Sequence, residues 1–283
     1  MIIRHQLINM QPEEYARIFR NKYQRIFNHN GIIWMEVRPL FWRPLFPFYK
    51  YDYDNIFIPF SFYLGGFQYP ILNNNLANST INYYIFNDVK NYSIDDLERK
   101  QRQDIVRSMR RLHVKIEVDP EVFIKKSYPV YISFMKRTRY GYRHDRLRWN
   151  VYNKWWRKIF SSGKFLIIGA YNKDILAGVM VLAYVDGVVV LVTTYSHTDY
   201  LSFGSTELLF HEARMLSSKV EDARFIFAGN KNDHYGVNNY KENRGAVLVK
   251  SPSYYYINPI ALNMLKLFGD KYLNKIAGDI RNQ

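Results

Sequence analysis

The sequence contains no cysteine. This absence excludes disulfide bonds, thiolate metal sites and a cysteine nucleophile, and it is typical of a cytoplasmic protein. Long apolar runs are also missing, because residues 175–185 and 188–192 are separated by Asp186 and Gly187 and are too short to span a bilayer. The opening residues lack the pattern of a signal peptide. We therefore expect a cytoplasmic protein without a transmembrane segment.

Acidic residues are scarce beside basic ones: 25 against 40, for a net charge of +15. This balance favours anionic partners such as CoA phosphates, nucleic acid or acidic lipid head groups, without choosing among them. No second histidine follows His211 and Glu212 at the spacing of a zinc protease. The Gly-x-Ser-x-Gly elbow and the phosphate-binding Gly-x-x-x-x-Gly-Lys loop are missing too. We expect no metal centre and no hydrolase triad.

The residues that are present predict a folded α+β protein. Hydrophobic residues make up 48% of the 283-residue chain, enough for a sizeable core. Prolines divide the first 90 residues into short strands, whereas the rest alternates helices with strands, and Asp186-Gly187 is a hairpin signal. The pattern predicts helices at 12–28, 93–112, 120–139 (kinked or interrupted at Pro129), 147–161, 206–219 and 258–275 (one helix or two), and strands at 32–37, 46–51, 55–60, 82–86, 114–118, 164–170, 175–185, 188–194, 224–229 and 246–257.

One stretch, residues 187–249, carries most of the chemistry that the sequence suggests. An apolar strand ends in Thr193, Thr194 and Tyr195, and Gly204-Ser205 then opens a helix. The first backbone N–H groups of a helix have no partner inside it, so this start is a potential anion site. The alternative is an ordinary helix cap.

Three segments in this order resemble the GNAT superfamily of N-acyltransferases, in the branch of the Fem-type aminoacyl transferases and the acetyltransferase-like domains of polysaccharide biosynthesis. Residues 97–112 are similar to a basic helix of that branch. Residues 177–194, followed by Gly204-Ser205, look like its donor-site strand, loop and helix. Residues 240–245, Tyr-Lys-Glu-Asn-Arg-Gly, resemble its F-K-x-x-F-G signature.

The resemblance covers about residues 90–257. It implies a GNAT-like fold: a mixed, mostly antiparallel sheet flanked by helices. Residues 1–90 are then a degenerate N-terminal half-domain, and residues 91–283 the acyltransferase domain. One departure concerns the loop of residues 200–205, which has a single glycine where the superfamily has a glycine-rich cradle for the CoA pyrophosphate. Fem-type relatives lack that cradle as well and take aminoacyl-tRNA.

Individual residues acquire roles from this likeness and from their positions. Lys241 stands where the signature has its lysine and is expected to stabilise the charge that develops during acyl transfer. The alternative is a surface lysine near a helix C-terminus. The candidates are Lys241, Asn230, His234 and Tyr240 as catalytic residues; Thr193, Thr194, Tyr195, Phe203, Gly204, Ser205 and Tyr235 for the donor; and Arg139, Tyr140, Tyr142 and Arg143 for the acceptor.

Three functions follow from these candidates. The first is direct transfer of an acyl group from acyl-CoA, with acetyl-CoA as the default, to a primary amine on a small molecule or an envelope or polysaccharide precursor. The second is Fem-type aminoacyl transfer from charged tRNA to a cell-envelope precursor, suggested by the basic helix from Arg99 to Arg111. The third is a non-enzymatic protein that binds nucleic acid or another anion through the same charge.

Overall fold

The computed structural model describes residues 7–20, 25–138, 144–232 and 235–267. Its helices are α1 (Pro12–Phe19), α2 (Arg99–Met109), α3 (Pro120–Thr138), α4 (Trp149–Ser162), α5 (Ser205–Ser217), α6 (Tyr235–Glu242) and α7 (Pro259–Leu267). Its strands are β1 (Asn9–Met10), β2 (Ile26–His29), β3 (Ile32–Arg38), β4 (Phe41–Pro44), β5 (Gly66–Pro70), β6 (Ser79–Phe86), β7 (His113–Ile116), β8 (Phe165–Asn172), β9 (Ile175–Val185), β10 (Val188–Ser196), β11 (Phe225–Asn230) and β12 (Val247–Ile257). None of these helices combines the length and apolarity needed to cross a bilayer.

The chain divides into two compact units, and the division is not a single cut in the sequence. The described residues of Met1–Met10, Ile85–Ala228 and Tyr240–Ala246 form unit 1. Unit 2 contains those of Gln11–Tyr84, Gly229–Asn239 and Val247–Gln283. Long-range strand pairing explains the difference from a boundary at residue 90, since β12 pairs with β5 in unit 2. That residues 1–90 are a degenerate half-domain stays a prediction.

Unit 1 is built around strands in the order β11, β10, β9, β8, β7. All neighbours are antiparallel except β10 and β11, which are parallel. The predicted hairpin is confirmed: Asp186 and Gly187 have φ of 44° and 76°, and Val185 pairs with Val188. β9 is buried along most of its length because α3 and α5 both pack against it. Its continuous apolar run reflects this two-sided burial.

Unit 2 has the strand order β2, β3, β4, β5, β12, β6 and an aromatic core. Trp42 stacks on Phe62 with ring centroids 4.7 Å apart, and Trp34 meets Phe62 edge-on at 5.1 Å. Buried Gln68 ties the sheet together, because its Nε2 donates to Ser79 Oγ at 2.8 Å and to Ser253 Oγ at 3.0 Å. Buried hydrogen bonds of this kind, which join residues of three strands, help to fix strand register in a core.

Several predicted bounds are wrong, and tertiary contacts account for them. The helix predicted at 12–28 ends at Phe19, and Ile26 instead pairs with Met35 in β2 and β3. The strands predicted at 46–51 and 55–60 are absent from those described residues, and a 3-10 helix forms at Phe60–Leu64. The hydroxyl of Ser93 accepts from Asp95 N and caps a 3-10 turn, so α2 begins only at Arg99.

Helix α3 is continuous through Pro129, so of the kink or interruption predicted there the interruption is wrong. A proline inside a helix removes one backbone hydrogen bond and disfavours the conformation. Here Phe123, Ile124 and Val130 are almost completely buried on the side of the helix that packs on β9 and β10. This burial, which the local sequence does not show, offsets the cost of the proline.

Candidate active site

Strand β10 leaves its parallel neighbour soon after the two begin to pair. The register with β11 runs from Val188 opposite Phe225 to Val190 opposite Phe227. The pairing of β10 with β9 continues to Ser196, but its register shifts between residues 191 and 193, which makes residue 192 the extra residue of a β-bulge. A bulge bends a strand and increases its twist. In the described part of unit 1, the other edge of β10 beyond Val190 has no paired strand.

The side chains at the end of β10 point alternately to two faces. Tyr195 is buried, and its hydroxyl lies 2.7 Å from the hydroxyl of Tyr152 in α4. Ser196 faces the other way, where its Oγ lies 3.2 Å from Thr206 Oγ1 of α5. Thr194 shares that face, and its buried Oγ1 has no hydrogen-bond partner among the described residues. Buried hydroxyls nearly always have one, so Thr194 can bond a ligand.

The start of α5 is covered. Gly204 has φ of 78°, and a Cβ there would lie 1.9 Å from Ser108 Oγ of α2, so only glycine allows this approach. Ser205 is fully buried and Thr206 is 5% exposed. The guanidinium of Arg111 lies 5.5 Å from the centre of the Phe203 ring. The first two residues of α5 are therefore nearly inaccessible to a phosphate in this conformation.

The signature at residues 240–245 joins the end of α6 to α5. The guanidinium of Arg244 lies 3.6 Å above the centre of the Tyr240 ring and forms an ion pair with Glu207 of α5. Gly245 takes the left-handed conformation, with φ of 86°, where a side chain is unfavourable. Burial raises the pKa of Tyr240, so its hydroxyl keeps its proton at neutral pH. Three of the six motif residues thus have structural contacts that explain them.

Lys241 is the motif residue whose pKa is lowered toward the physiological range. Its side chain is half-buried, and burial lowers the pKa of Lys241 to about 8. Removing a cation from water disfavours its charged form. Ala246 N donates to Lys241 O at 3.1 Å, which closes the helix end around it. A lysine with this pKa is mostly charged at pH 7 and can lose its proton in the physiological range. Such groups are frequent at functional sites.

Two functional candidates were missed by sequence reasoning. Arg137 at the end of α3 donates through Nη1 to Ser196 O at 3.2 Å. Its positive charge also interacts electrostatically with the hydroxyl of Tyr240. Arg214 of α5 is 4% exposed, forms an ion pair with Asp88, and its burial lowers the pKa of Arg214 to about 10. The sequence does contain an indication of Arg214, because this arginine stands at a position of α5 where the helical periodicity places apolar residues.

The remaining predicted residues separate into two groups. Asn230 is exposed at the end of β11 and belongs to unit 2. Tyr235 begins α6, but its side chain is outside the described part. No three histidine, aspartate or glutamate side chains within the described ranges could hold a metal ion. The predictions for His234, Arg139, Tyr140, Tyr142 and Arg143 lie outside the described residues.

Comparison with known proteins finds likeness in structure alone. Neither a family model nor a curated protein sequence matches the chain. Among solved structures, FemX aligns with a TM-score of 0.51 at 12% identity over 65% of this chain and 63% of its own. The chain thus spans slightly less than two thirds of FemX. L-PGS from Bacillus licheniformis aligns with a TM-score of 0.52 at 11% identity over 89% of both chains.

A third structure gives the same result. The C-terminal domain (DUF2156) of a proposed lysylphosphatidylglycerol synthetase from Agrobacterium fabrum aligns with a TM-score of 0.52 at 11% identity, over 92% of this chain and 91% of its own. At such identities the likeness concerns the fold. The chain shares the fold of FemX and of these two synthetase structures, and the α+β, GNAT-like fold predicted from the sequence is confirmed.

Proposed function

We propose that unit 1 transfers an acyl group from an activated ester or thioester to a primary amine. The single observation that carries this proposal is the free edge of β10 after the bulge at residue 192. Backbone N–H groups on such an edge bind an extended donor as an added strand would be bound. The same groups can stabilise the oxyanion of a tetrahedral intermediate.

The chemistry needs no covalent enzyme intermediate. The neutral amine attacks the donor carbonyl, a C–N bond forms, and the C–O or C–S bond breaks as the proton of the amine passes to the leaving oxygen or sulfur. Lys241 supplies a positive charge to the oxyanion, and Tyr240, whose pKa is raised, relays the proton: it gives its own to the leaving group and takes up the one that the amine loses. Proton relay through Asn230 or His234 stays a prediction from the sequence. Most of the rate enhancement then comes from positioning.

The closed start of α5 bears on the choice of donor. Acyl-CoA is the first donor that the sequence suggests, and its pyrophosphate needs accessible N–H groups at this helix start. Because Ser205 and Thr206 are buried and Ser108 abuts Gly204, CoA binding requires the loop of residues 200–205 to move. A donor held elsewhere, such as an aminoacyl ester on tRNA, does not require this movement. The closed helix start therefore favours the aminoacyl donor.

The surface of α2 supports the aminoacyl donor independently. Arg99, Lys100 and Arg110 are exposed, and none of them has a carboxylate partner among the described residues. Arg107 is 60% exposed in its side chain and pairs with Asp104, 3.3 Å away on the same helix. Clusters of cations without acidic partners bind phosphate backbones through release of counterions.

Binding measurements separate the two donors. We expect charged tRNA to bind with a steep salt dependence, and the double reversal Arg99→Glu/Arg110→Glu to weaken it by about tenfold or more and to lower the salt slope by roughly 2. The matched control reverses two exposed lysines outside α2, Lys154→Glu/Lys173→Glu. Thermal stabilisation by acetyl-CoA, together with indifference to tRNA, would instead establish acyl-CoA as the donor. Transfer from neither donor to any amine would refute the proposed reaction.

A further inference from the structure

Unit 2 exposes a group of large, mostly apolar side chains, one of which, Tyr63, also packs edge-on against Phe67 of the core. They lie on the 3-10 helix at Phe60–Leu64, in the β3–β4 turn and at the start of α7. We call them the apolar tip: Leu40, 47% exposed; Phe60, 85%; Tyr63, 40%; Leu64, 62%; and Ile260, 73%. Single exposed apolar side chains are normal on a protein surface, but several together mark an interaction site.

Hydrogen bonds hold the three segments of the tip around Gly65. Gly66 N donates to Leu40 O at 3.1 Å, which fixes the turn against the end of the 3-10 helix. Asn258, just before α7, donates through its backbone N to Gly65 O at 2.8 Å and through Nδ2 to Tyr63 O at 2.9 Å. Its Oδ1 accepts from Ile260 N at 2.9 Å. The backbone segments that carry the exposed side chains are therefore adjacent.

Backbone strain at Leu40 is a second, independent observation. Leu40 has φ of 61°, a conformation that residues other than glycine, asparagine and aspartate rarely adopt. The strain is held from both sides, because Leu40 N donates to Glu36 Oε1 at 2.8 Å and Gly66 N donates to Leu40 O. Gly65 also has no room for a side chain, since its Cβ would lie 2.2 Å from Leu40 O. Strain of this kind persists where it serves a function.

The charge beside the tip indicates what covers it. Arg38 is exposed two residues before Leu40, and within the described chain it donates to its neighbour's carbonyl, Val37 O, with no carboxylate partner. A symmetric contact between two copies uses the same patch twice and would bring like charges together near its axis. A bilayer with anionic head groups accepts both features, because its interface takes aromatic and aliphatic side chains while its charge attracts arginine.

We propose that the apolar tip inserts into the interface of an anionic lipid bilayer, with Arg38 against the head groups. Phe60, Leu64 and Ile260 enter the acyl boundary, and Tyr63 lies at head-group level, where amphipathic rings are stable. The net charge of +15 adds long-range attraction to the same surface. The inference concerns binding in unit 2 and does not depend on the acyl transfer proposed for unit 1.

Vesicle sedimentation of the full chain tests this docking. We expect binding to phosphatidylcholine vesicles that contain about 30 mol% phosphatidylglycerol, and weak binding to pure phosphatidylcholine. Phe60→Ser/Leu64→Ser should weaken binding to the anionic vesicles by about tenfold or more, since two buried apolar side chains are lost. Arg38→Gln should weaken it about threefold and reduce its salt dependence. The matched control is Val118→Ser/Val122→Ser, at positions 53% and 50% exposed in unit 1.

The outcomes differ between possible occupants. All variants should keep the wild-type circular dichroism spectrum and melting temperature, because the replaced side chains are exposed. Equal binding by the tip variant and the control would overturn the proposal. A second result would also overturn it: the wild type dimerises with rising concentration in light scattering but does not bind vesicles, and Phe60→Ser/Leu64→Ser abolishes the dimer. The tip would then be a contact between two copies of the chain. If the chain binds vesicles but transfers nothing from any donor, the proposed docking still holds and only the proposed reaction is refuted.

Discussion

Replacing Gly204 with alanine tests the contact that closes the start of α5. Two effects act together. An alanine at φ of 78° costs about 1 to 2 kcal/mol, because its Cβ crowds the following carbonyl. The new Cβ would also lie 1.9 Å from Ser108 Oγ and 3.0 Å from Ser108 Cβ, an overlap that forces a shift costing about 1 to 3 kcal/mol. We expect Gly204→Ala to lower the free energy of unfolding by about 3 kcal/mol.

A double-mutant cycle isolates the overlap. Ser108→Ala alone removes the bond from Ser108 Oγ to Asp104 O, 2.7 Å long, and gains helix propensity, so it should change the stability by less than about 1 kcal/mol. In the double variant the hydroxyl is gone and only the backbone strain and the tighter Cβ contact remain. The double variant should therefore be more stable, by about 1 to 2 kcal/mol in its free energy of unfolding, than the sum of the two single effects predicts.

Urea unfolding followed by circular dichroism measures these differences, with a constant m-value as the check on the comparison. The control is Gly163→Ala at the residue that follows α4, where φ is 63° and no atom lies within 4 Å of a new Cβ. It should cost about 1 kcal/mol, from the backbone alone. If Gly204→Ala costs no more than Gly163→Ala, or if Ser108→Ala restores nothing, then α2 does not close this helix start and the argument against CoA fails.

Three further predictions concern buried polar groups of unit 1. Asp88→Asn leaves the buried guanidinium of Arg214 without its counter-charge and should lower the free energy of unfolding in urea by about 2 to 3 kcal/mol. An unchanged unfolding midpoint would contradict a stabilising ion pair. Tyr195→Phe removes the 2.7 Å bond to Tyr152 and should cost about 1 kcal/mol, with no loss if the two hydroxyls are independent. Above about pH 8, the ratio of the activity of Lys241→Arg to that of the wild type should rise by roughly tenfold per pH unit, because arginine stays charged while Lys241 is deprotonated. An activity ratio that does not change with pH would exclude an electrostatic role for Lys241.

The sequence predicted local structure well where one segment suffices to determine it. Asp186 and Gly187 form the predicted hairpin because their left-handed conformations match the twist of the strands they join. The predicted helix at 206–219 corresponds to α5, since its apolar positions recur at helical spacing. Lys241 lies on a helix, and burial lowers its pKa to about 8. The catalytic and binding roles assigned to individual residues stay predictions.

By itself, the sequence determined the α+β class, most of the strands of unit 1 and the three segments that resemble a GNAT acyltransferase, because these depend on periodicity and turn chemistry within a few residues. Only the tertiary structure decided that β10 separates from β11 after Val190, that Ser108 abuts Gly204 at the start of α5, and that the turn at Leu40 and the start of α7 both bond the backbone of Gly65 and Gly66. Each of these features joins segments far apart in the chain. Their energies come from packing and hydrogen bonds between those segments, which no local pattern records.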